Sequence, residues 1–161
     1  MPTPEFIAAL RSKVGTDLLW LTGVTAVVFD DTDRVLLGQR SDNRMWALIS
    51  GILEPGEHPD AASAREVVEE TGVDVAVEAL TSLRVTEPVT YPNGDQAQYL
   101  DLVFWCRMTG GRAEVGDDES IAVGWFDLTD LPEPLLPPVL PTIRTTLNYR
   151  RDPDIGVQMQ R

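Results

Sequence analysis

The chain has 161 residues, and its 26 acidic against 13 basic side chains give a net charge of −13. That length is typical of one domain with a hydrophobic core of its own. The acidic excess excludes long nucleic acids and anionic membranes as natural partners, because their phosphate groups are bound by Lys and Arg.

Cysteine, histidine and hydropathy narrow the class of protein further. Cys106 is the only cysteine, so an internal disulfide is impossible and a reducing compartment is favoured. The N-terminal segment lacks a secretory signal, and no stretch approaches the roughly 18 apolar residues of a membrane helix. Since His58 is the only histidine, a zinc site built from several His or Cys ligands is excluded. The sequence therefore predicts a cytoplasmic protein.

Apolar patterns and helix-breaking residues divide the chain into helices and strands. The first helix is predicted over about residues 4–14, with Thr3 as its N-cap. Two further helices are predicted over Pro59–Thr71 and Val139–Arg150. The predicted strands are Gly23–Asp30, Arg34–Arg40, Trp46–Ser50, Val73–Thr86, Ala97–Met108 and Ile121–Asp127. This order predicts an α/β fold, with a mixed sheet and helices on both faces, in one domain spanning residues 1–161.

The helix predicted over Pro59–Thr71 carries three glutamates on one side. At 100° per residue, Glu66, Glu69 and Glu70 lie within about 100° of one another. The opposite side, which we expect to pack on the sheet, holds Ala61, Ala64 and Val68. Like charges at these spacings repel by about 0.2–0.5 kcal/mol per pair, and the helix dipole disfavours them near the C-terminus. A bound divalent cation would remove the repulsion, and all-oxygen ligands favour Mg²⁺ or Mn²⁺ over zinc.

An acidic helix face alone is more often a solvated surface than a metal site. The residues around it therefore decide between these two interpretations. From Gly51 to Val73 the sequence follows the pattern G-x5-E-x7-R-E-U-x-E-E-x-G-U, where U is apolar. Seven identities, each with a chance of about one in fifteen, give a probability of a chance match on the order of 10⁻⁸ per start position. The segment resembles the Nudix box of the MutT/Nudix hydrolases. Its entrance differs from that of many relatives, with Ile49-Ser50-Gly51 in place of Pro-Gly-Gly.

The resemblance implies a Nudix-type α/β/α sandwich with a mixed sheet. It also implies a hydrolase that cleaves a nucleoside diphosphate linked to another group X. In this family the helix carboxylates hold Mg²⁺ on the pyrophosphate of the substrate, and Mn²⁺ is a substitute. The metal ligands implied here are Glu66, Glu69 and Glu70, and the carbonyl of Gly51 is a further candidate.

Other charged side chains complete the site that the resemblance implies. Arg65 would orient Glu66 or Glu69 through a charge-assisted hydrogen bond, and Glu57 would steady the loop or hold an outer-shell water. The general base is left open between a box glutamate and an acid of a later loop. The candidates in that loop are Glu114, Asp117, Asp118 and Glu119, of which Glu119 is preferred as an additional metal ligand.

Residues after the box bear on the substrate. Pro88 lies 15 residues after Val73, where ADP-ribose pyrophosphatases of the family tend to carry a proline. Tyr91, which begins a turn with Asn-Gly at its centre, and Tyr99 are candidates for contacts with a base or sugar. ADP-ribose or another nucleoside-diphosphate sugar is the first expectation. The alternative is hydrolysis of an oxidised (d)NTP to the monophosphate, and a non-catalytic nucleotide sensor is a more remote one.

The remaining expectations concern partners and two lone side chains. The expected partner is a small nucleotide that arrives with its metal ion. Family members are often homodimers, with the N-terminal helix or an edge strand as interface, and the sequence leaves the assembly state open. His58 is expected to be exposed in the box loop, and Cys106 is expected to be a core thiol.

Overall fold

The computed structural model describes residues 3–160, so the first two residues and the last residue of the predicted domain lie outside it. Its α-helices are α1 (Glu5–Val14), α2 (Pro59–Thr71) and α3 (Val139–Arg151). The bounds of α2 are those predicted, because Pro59 occupies the first turn and Gly72 follows in the left-handed conformation at φ 67°. The predicted cap of α1 was wrong. Pro4, not Thr3, holds the cap position, and no side chain in the described part of the chain caps the helix.

The strands form one mixed sheet. They are β1 (Leu19–Phe29), β2 (Val35–Arg40), β3 (Trp46–Ala47), β4 (Ile49–Ile52), β5 (Val73–Val85), β6 (Val89–Thr90), β7 (Gln96–Gly111), β8 (Ser120–Phe126) and β9 (Gln158–Gln160). The main path runs β3-β2-β1-β7-β5-β9, while β4 pairs with β1, β6 with β7 and β8 with β2. The pairs β1–β7 and β5–β9 are parallel and the other pairs are antiparallel.

Alternating side chains of β1 separate two hydrophobic layers. Val24, Ala26 and Val28 belong to a cluster that also contains Val67 of α2. Val27 and Phe29 belong to a second cluster, which contains Val139 and Ile143 of α3. The two helices therefore cover opposite faces of the sheet, and the predicted α/β/α arrangement is confirmed. A third, smaller cluster joins Ile7 of α1 to Leu21 and Ala97 on the α3 face.

One strand prediction needs correction, and two short strands were not predicted. The segment predicted as one strand over Trp46–Ser50 is divided at Leu48. Trp46 and Ala47 pair with β2, whereas β4 pairs with β1, so the chain changes partner between them. The short strands β6 and β9 were not predicted, because neither is long enough to show an alternating pattern.

The predicted packing side of α2 was also wrong. Val68 is 45% exposed and Ala61 is exposed, whereas the side chains on the inward face are those of Ala62, Ser63, Glu66, Val67, Glu70 and Thr71. The helix thus places two of its three box glutamates against the sheet. On this face the small residues Ala62 and Ser63 and the β-branched Val67 share the contact with the sheet.

Helices long and apolar enough to span a membrane are absent from residues 3–160.

Truncating Leu36 should show how far the layer under α2 supports the fold. Its side chain is fully buried, so we expect Leu36→Ala to lower the free energy of unfolding by about 2–5 kcal/mol in urea denaturation. The matched control is Leu18→Ala, since Leu18 is 50% exposed and should change stability by no more than about 0.5 kcal/mol. Equal losses in the two variants would contradict the assigned core.

Candidate active site on the box helix

Gly51 of β4 and Glu66 of α2 are packed directly against each other. A Cβ atom at position 51 would collide with the carboxyl group of Glu66, so only glycine leaves room for it. Glu66 is 1% exposed, and its Oε1 accepts a hydrogen bond from Arg65 Nη1 at 2.8 Å. Its Oε2 is buried and has no hydrogen-bond partner among the described residues. The box glycine therefore makes space for a buried carboxylate.

A loop after β7 closes over the C-terminal end of α2. Gly116 N donates to Glu70 O at 2.9 Å, and a side chain at position 116 would collide with the backbone carbonyl of Glu69. This close approach brings Asp117 and Glu119 within electrostatic range of Glu70. Glu70 is 6% exposed, and its Oε1 is a second buried oxygen without a hydrogen-bond partner in the described part of the chain.

Burial disfavours the charged form of both inward-facing glutamates. Desolvation raises the pKa of Glu66 to about 7, with Arg65 acting in the opposite direction. Desolvation also raises the pKa of Glu70 to about 9, and the negative charges of Glu119, Glu66 and Asp117 add to the effect. A cation placed among these carboxyl groups would stabilise their ionised forms.

Arg65 connects the box loop to the glutamates of α2. Its Nε and Nη2 donate to the two carboxylate oxygens of Glu57 at 2.8 and 3.0 Å. Its Nη1 donates to Glu66 at 2.8 Å and to Glu69 at 3.2 Å. These neighbouring carboxylates raise the pKa of Arg65, so the guanidinium stays charged. Arg65 thus contacts both glutamates that it was expected to orient, and Glu57 anchors it to the loop.

The donor set suits a hard divalent cation. Glu66 and Glu70 offer buried oxygens that lack hydrogen-bond partners within residues 3–160, and a cation would satisfy both. No three His, Cys, Asp or Glu side chains in residues 3–160 are already arranged as a metal cluster. Arg65 contacts one oxygen of Glu66 and one oxygen of Glu69. The side chain of Glu69 is 43% exposed. Arg65 thus contacts Glu69 through Oε2 alone.

A cavity of about 680 Å³ opens on the face of the sheet where α1 lies, and the glutamates of α2 are not among the residues that line it. Gly51 and Glu119 line it, so it reaches the box. Arg40 also lines it and is paired with Asp42 through two hydrogen bonds of 2.9 and 2.7 Å. Asp42, with smaller contributions from Glu119 and Glu70, raises the pKa of Arg40. A volume of this size accommodates a nucleotide-sized ligand.

The floor of the cavity contains a buried charged network. Asp101 of β7 is 4% exposed and accepts hydrogen bonds from Thr25 and Arg84. Arg84 of β5 stands opposite Asp101 in the antiparallel pairing of β5 with β7. Its Nη1 also donates to Thr142 of α3 at 3.1 Å.

The residues predicted to contact the substrate occupy two different environments. Tyr91 and Tyr99 both line the cavity, and their hydroxyl groups are 2.7 Å apart. Burial and the hydrogen bond to Tyr91 raise the pKa of Tyr99. Pro88 is exposed in the loop between β5 and β6 and is not among the residues that line the cavity.

The other predicted residues are also accounted for. Asp118 lines the cavity together with Glu119, and Asp117 lines a second crevice with Glu57, Arg65 and Glu69. Glu114 N donates to Thr71 O, which fixes the loop to α2. His58 is exposed just before α2, and Cys106 is a fully buried core thiol, as expected.

Sequence reasoning missed Arg40, Thr25, Asp101 and Arg84. Asp101 is the one charged residue in the apolar run Tyr99–Cys106 of β7, and that was the available signal. Its pairing with Arg84 could not be predicted from the sequence, because the two residues lie 17 positions apart on strands whose register no local pattern specifies.

Replacing Glu70 by glutamine should change how stability depends on pH in protein treated with EDTA. The raised pKa means that the folded state keeps a proton that the unfolded state releases between about pH 4.5 and 9. Stability of the wild-type protein therefore falls as pH rises through that window. At pH 8 we expect Glu70→Gln to melt at least about 3 °C higher than wild type, and we expect the difference to vanish near pH 4.5.

The matched control for this measurement is Glu69→Gln, because Glu69 lies in the same helix but is exposed. Its melting temperature should follow the wild-type pH profile. If the pH profile of Glu70→Gln ran parallel to that of the wild type, ionisation of the Glu70 carboxyl group would not be what lowers stability at high pH.

Comparison with known sequences supports the motif. The family model of the NUDIX domain matches residues 20–146. A MutT-like protein of Streptomyces ambofaciens is 38% identical over 110 residues, which are 68% of this chain and 66% of that protein. The ADP-ribose pyrophosphatase of Methanocaldococcus jannaschii is 32% identical over 120 residues, or 71% and 68% of the two chains. The human 8-oxo-dGDP phosphatase is 35% identical over 118 residues, which are 70% of this chain and 34% of that longer protein.

Comparison with solved structures supports the same fold. An ADP-ribose pyrophosphatase from Streptococcus suis matches with a TM-score of 0.69 at 23% identity, over 87% of this chain and 98% of that one. The family model covers most of the chain, and its span includes the whole box from Gly51 to Val73. The chain therefore belongs to the NUDIX family, the MutT/Nudix hydrolases that its box predicts.

Proposed function

We propose that this chain is a divalent-metal-dependent pyrophosphohydrolase that cleaves a nucleoside diphosphate linked to another group. One observation carries the proposal: Glu66 and Glu70 hold buried oxygens without hydrogen-bond partners among the described residues, and a cavity of about 680 Å³ reaches Gly51, which packs against Glu66. Burying two carboxylates in this way is costly unless a ligand compensates for it. Family membership adds the class of reaction, which is attack of water on the phosphorus of a pyrophosphate.

The proposed metal ligands are Glu66, Glu69 and Glu70, together with the Gly51 carbonyl and Glu119. When bound, Mg²⁺ or Mn²⁺ would reduce the charge of the pyrophosphate and lower the pKa of a coordinated water. Glu119 has a position suited to this role, because it lines the cavity and also acts electrostatically on both buried glutamates.

The two arginine side chains near the site have separate roles in this proposal. Arg65 stays on the loop side, where its bonds to Glu57 fix it while it orients Glu66. Arg40 lines the cavity close to the carboxylates, so it can exchange Asp42 for a phosphate oxygen of the substrate. A positive charge at this point offsets the repulsion between the acidic protein and an anionic substrate.

The substrate proposed first is ADP-ribose or another nucleoside-diphosphate sugar. The ADP-ribose pyrophosphatase of Methanocaldococcus jannaschii aligns with 71% of this chain, and the tyrosine-lined cavity has room for a nucleoside. The second candidate is an oxidised guanine nucleotide, which is favoured by the similarity to the human 8-oxo-dGDP phosphatase. The same proposal includes action in the cytoplasm on a small nucleotide, and a homodimer as the assembly to be tested.

Hydrolysis is tested with a panel of ADP-ribose, UDP-glucose, a dinucleoside polyphosphate and 8-oxo-dGTP, in the presence of Mg²⁺. We expect turnover of at least one compound and its complete loss in EDTA. Glu70→Gln should lower kcat/KM by at least about 100-fold, because it replaces a ligand of the charge-stabilising centre. The reaction is followed by separating the nucleoside monophosphate product.

The matched control is Glu5→Gln, an identical change at an exposed residue of α1 outside the site. This variant should keep the wild-type kcat/KM. Turnover that persists in EDTA, or that Glu69→Gln and Glu70→Gln leave unchanged, would contradict the metal assignment. Tight nucleotide binding without any turnover would favour a sensor.

A further inference from the structure

The charged network on the cavity floor lies outside the set of residues assigned to the metal. Asp101 is 4% exposed and Arg84 contacts one of its oxygens at 2.7 Å. A buried ion pair of this kind is not in general more stabilising than apolar packing. Both residues line the cavity. Packing alone would not require charged side chains there, because apolar ones would fill the same space. Their position therefore points to contact with a ligand.

The two oxygens of Asp101 are unequally occupied. Oδ2 accepts hydrogen bonds from Arg84 Nε and from Thr25 Oγ1, and it lies 2.7 Å from Arg84 Nη2. Among the contacts of residues 3–160, Oδ1 shares only the single hydroxyl proton of Thr25, at 3.0 Å. Since each carboxylate oxygen can accept two hydrogen bonds, Oδ1 has capacity for a further donor.

Gly23 of β1 leaves open space beside that oxygen. A Cβ atom built at position 23 would lie 3.5 Å from Asp101 Oδ1, 3.5 Å from Gly51 O and 3.6 Å from Tyr99 Cδ1. All four residues line the cavity, so the space is continuous with it. The missing side chain thus creates a small notch between an acceptor oxygen and an aromatic ring. We call this space the Gly23 notch.

We propose that Asp101 Oδ1 at the Gly23 notch accepts a hydrogen bond from the nucleoside part of the substrate and so determines specificity. The donor is a ribose hydroxyl or an amino group of the base. Arg84 and Thr25 hold the carboxylate in place for this contact. The inference deepens the proposed function, on which it rests for the kind of ligand.

Gly23→Ala is a clean probe of this notch. The added methyl group would make only ordinary van der Waals contacts, and Gly23 does not adopt the left-handed conformation. We therefore expect a folded protein with a melting temperature close to that of the wild type, in which the methyl group blocks the approach to Oδ1. Asp101→Asn is a second variant, which keeps the shape of the side chain and changes its hydrogen-bonding groups.

The measurement is calorimetric binding in EDTA, which needs neither hydrolysis nor metal. The probes are AMP, GMP, IMP and the 2′-deoxy forms of AMP and GMP. Wild-type protein should bind its preferred nucleotide about tenfold more tightly than the analogue that lacks the donor, as expected for a hydrogen bond to a charged group. In Gly23→Ala and in Asp101→Asn we expect this preference to fall below about twofold.

The probes distinguish the two donors. A preference for the ribonucleotide over its 2′-deoxy form assigns the notch to a ribose hydroxyl, whereas a preference for AMP or GMP over IMP assigns it to a base amino group. Equal binding of all five probes, no binding of any of them, or a wild-type preference that persists in Gly23→Ala overturns the proposal. Selective binding without hydrolysis of the substrate panel would instead refute only the proposed function.

Discussion

The burial of two carboxyl groups between α2 and the sheet is the constraint on which the site depends. Glu66 occupies the place where a side chain at Gly51 would be, and Glu70 lies under the loop that Gly116 allows to approach α2. Neither position could accept a charged group if the neighbouring residue were larger. The cost of this burial appears in the raised pKa of both glutamates, and it is stored in the fold until a cation offsets it.

The sheet makes this arrangement possible by separating the chemistry from the recognition of the substrate. On one face, α2 brings the glutamates down onto β4. On the other face, the cavity lies over β1, β5 and β7, with the buried Asp101 and Arg84 in its floor. Gly51 belongs to both regions, because its backbone supports Glu66 and also lines the cavity. The two functions can therefore be altered by different residues.

Much of the fold was accessible from local sequence signals. The bounds of α2 follow from Pro59 and Gly72, and the turn before β7 follows from Asn-Gly. The inward face of α2 did not follow, because a helical projection gives angles between side chains but not the direction of the sheet. Counting apolar residues selected the side of Val68, whereas the structure buries Glu66 and Glu70 on the other.

Long-range features of the site could not be predicted for a related reason. Asp101 and Arg84 meet through the pairing of β5 with β7, and no local pattern specifies the register of these two strands. The strand β9 has the sequence Gln-Met-Gln, which carries no alternating signal, yet it pairs with β5 beside Arg84. Such contacts depend on the whole sheet and not on any one segment.

The hydrogen bonds of Arg65 have a consequence for the affinity of the site. The box loop is held by Nε and Nη2 through Glu57, whereas Glu66 and Glu69 share Nη1 alone. A cation that draws Glu69 away therefore leaves the anchoring of the loop intact. The conformational entropy of that loop is lost when the chain folds and not when the ion arrives, so binding is not weakened by having to order it.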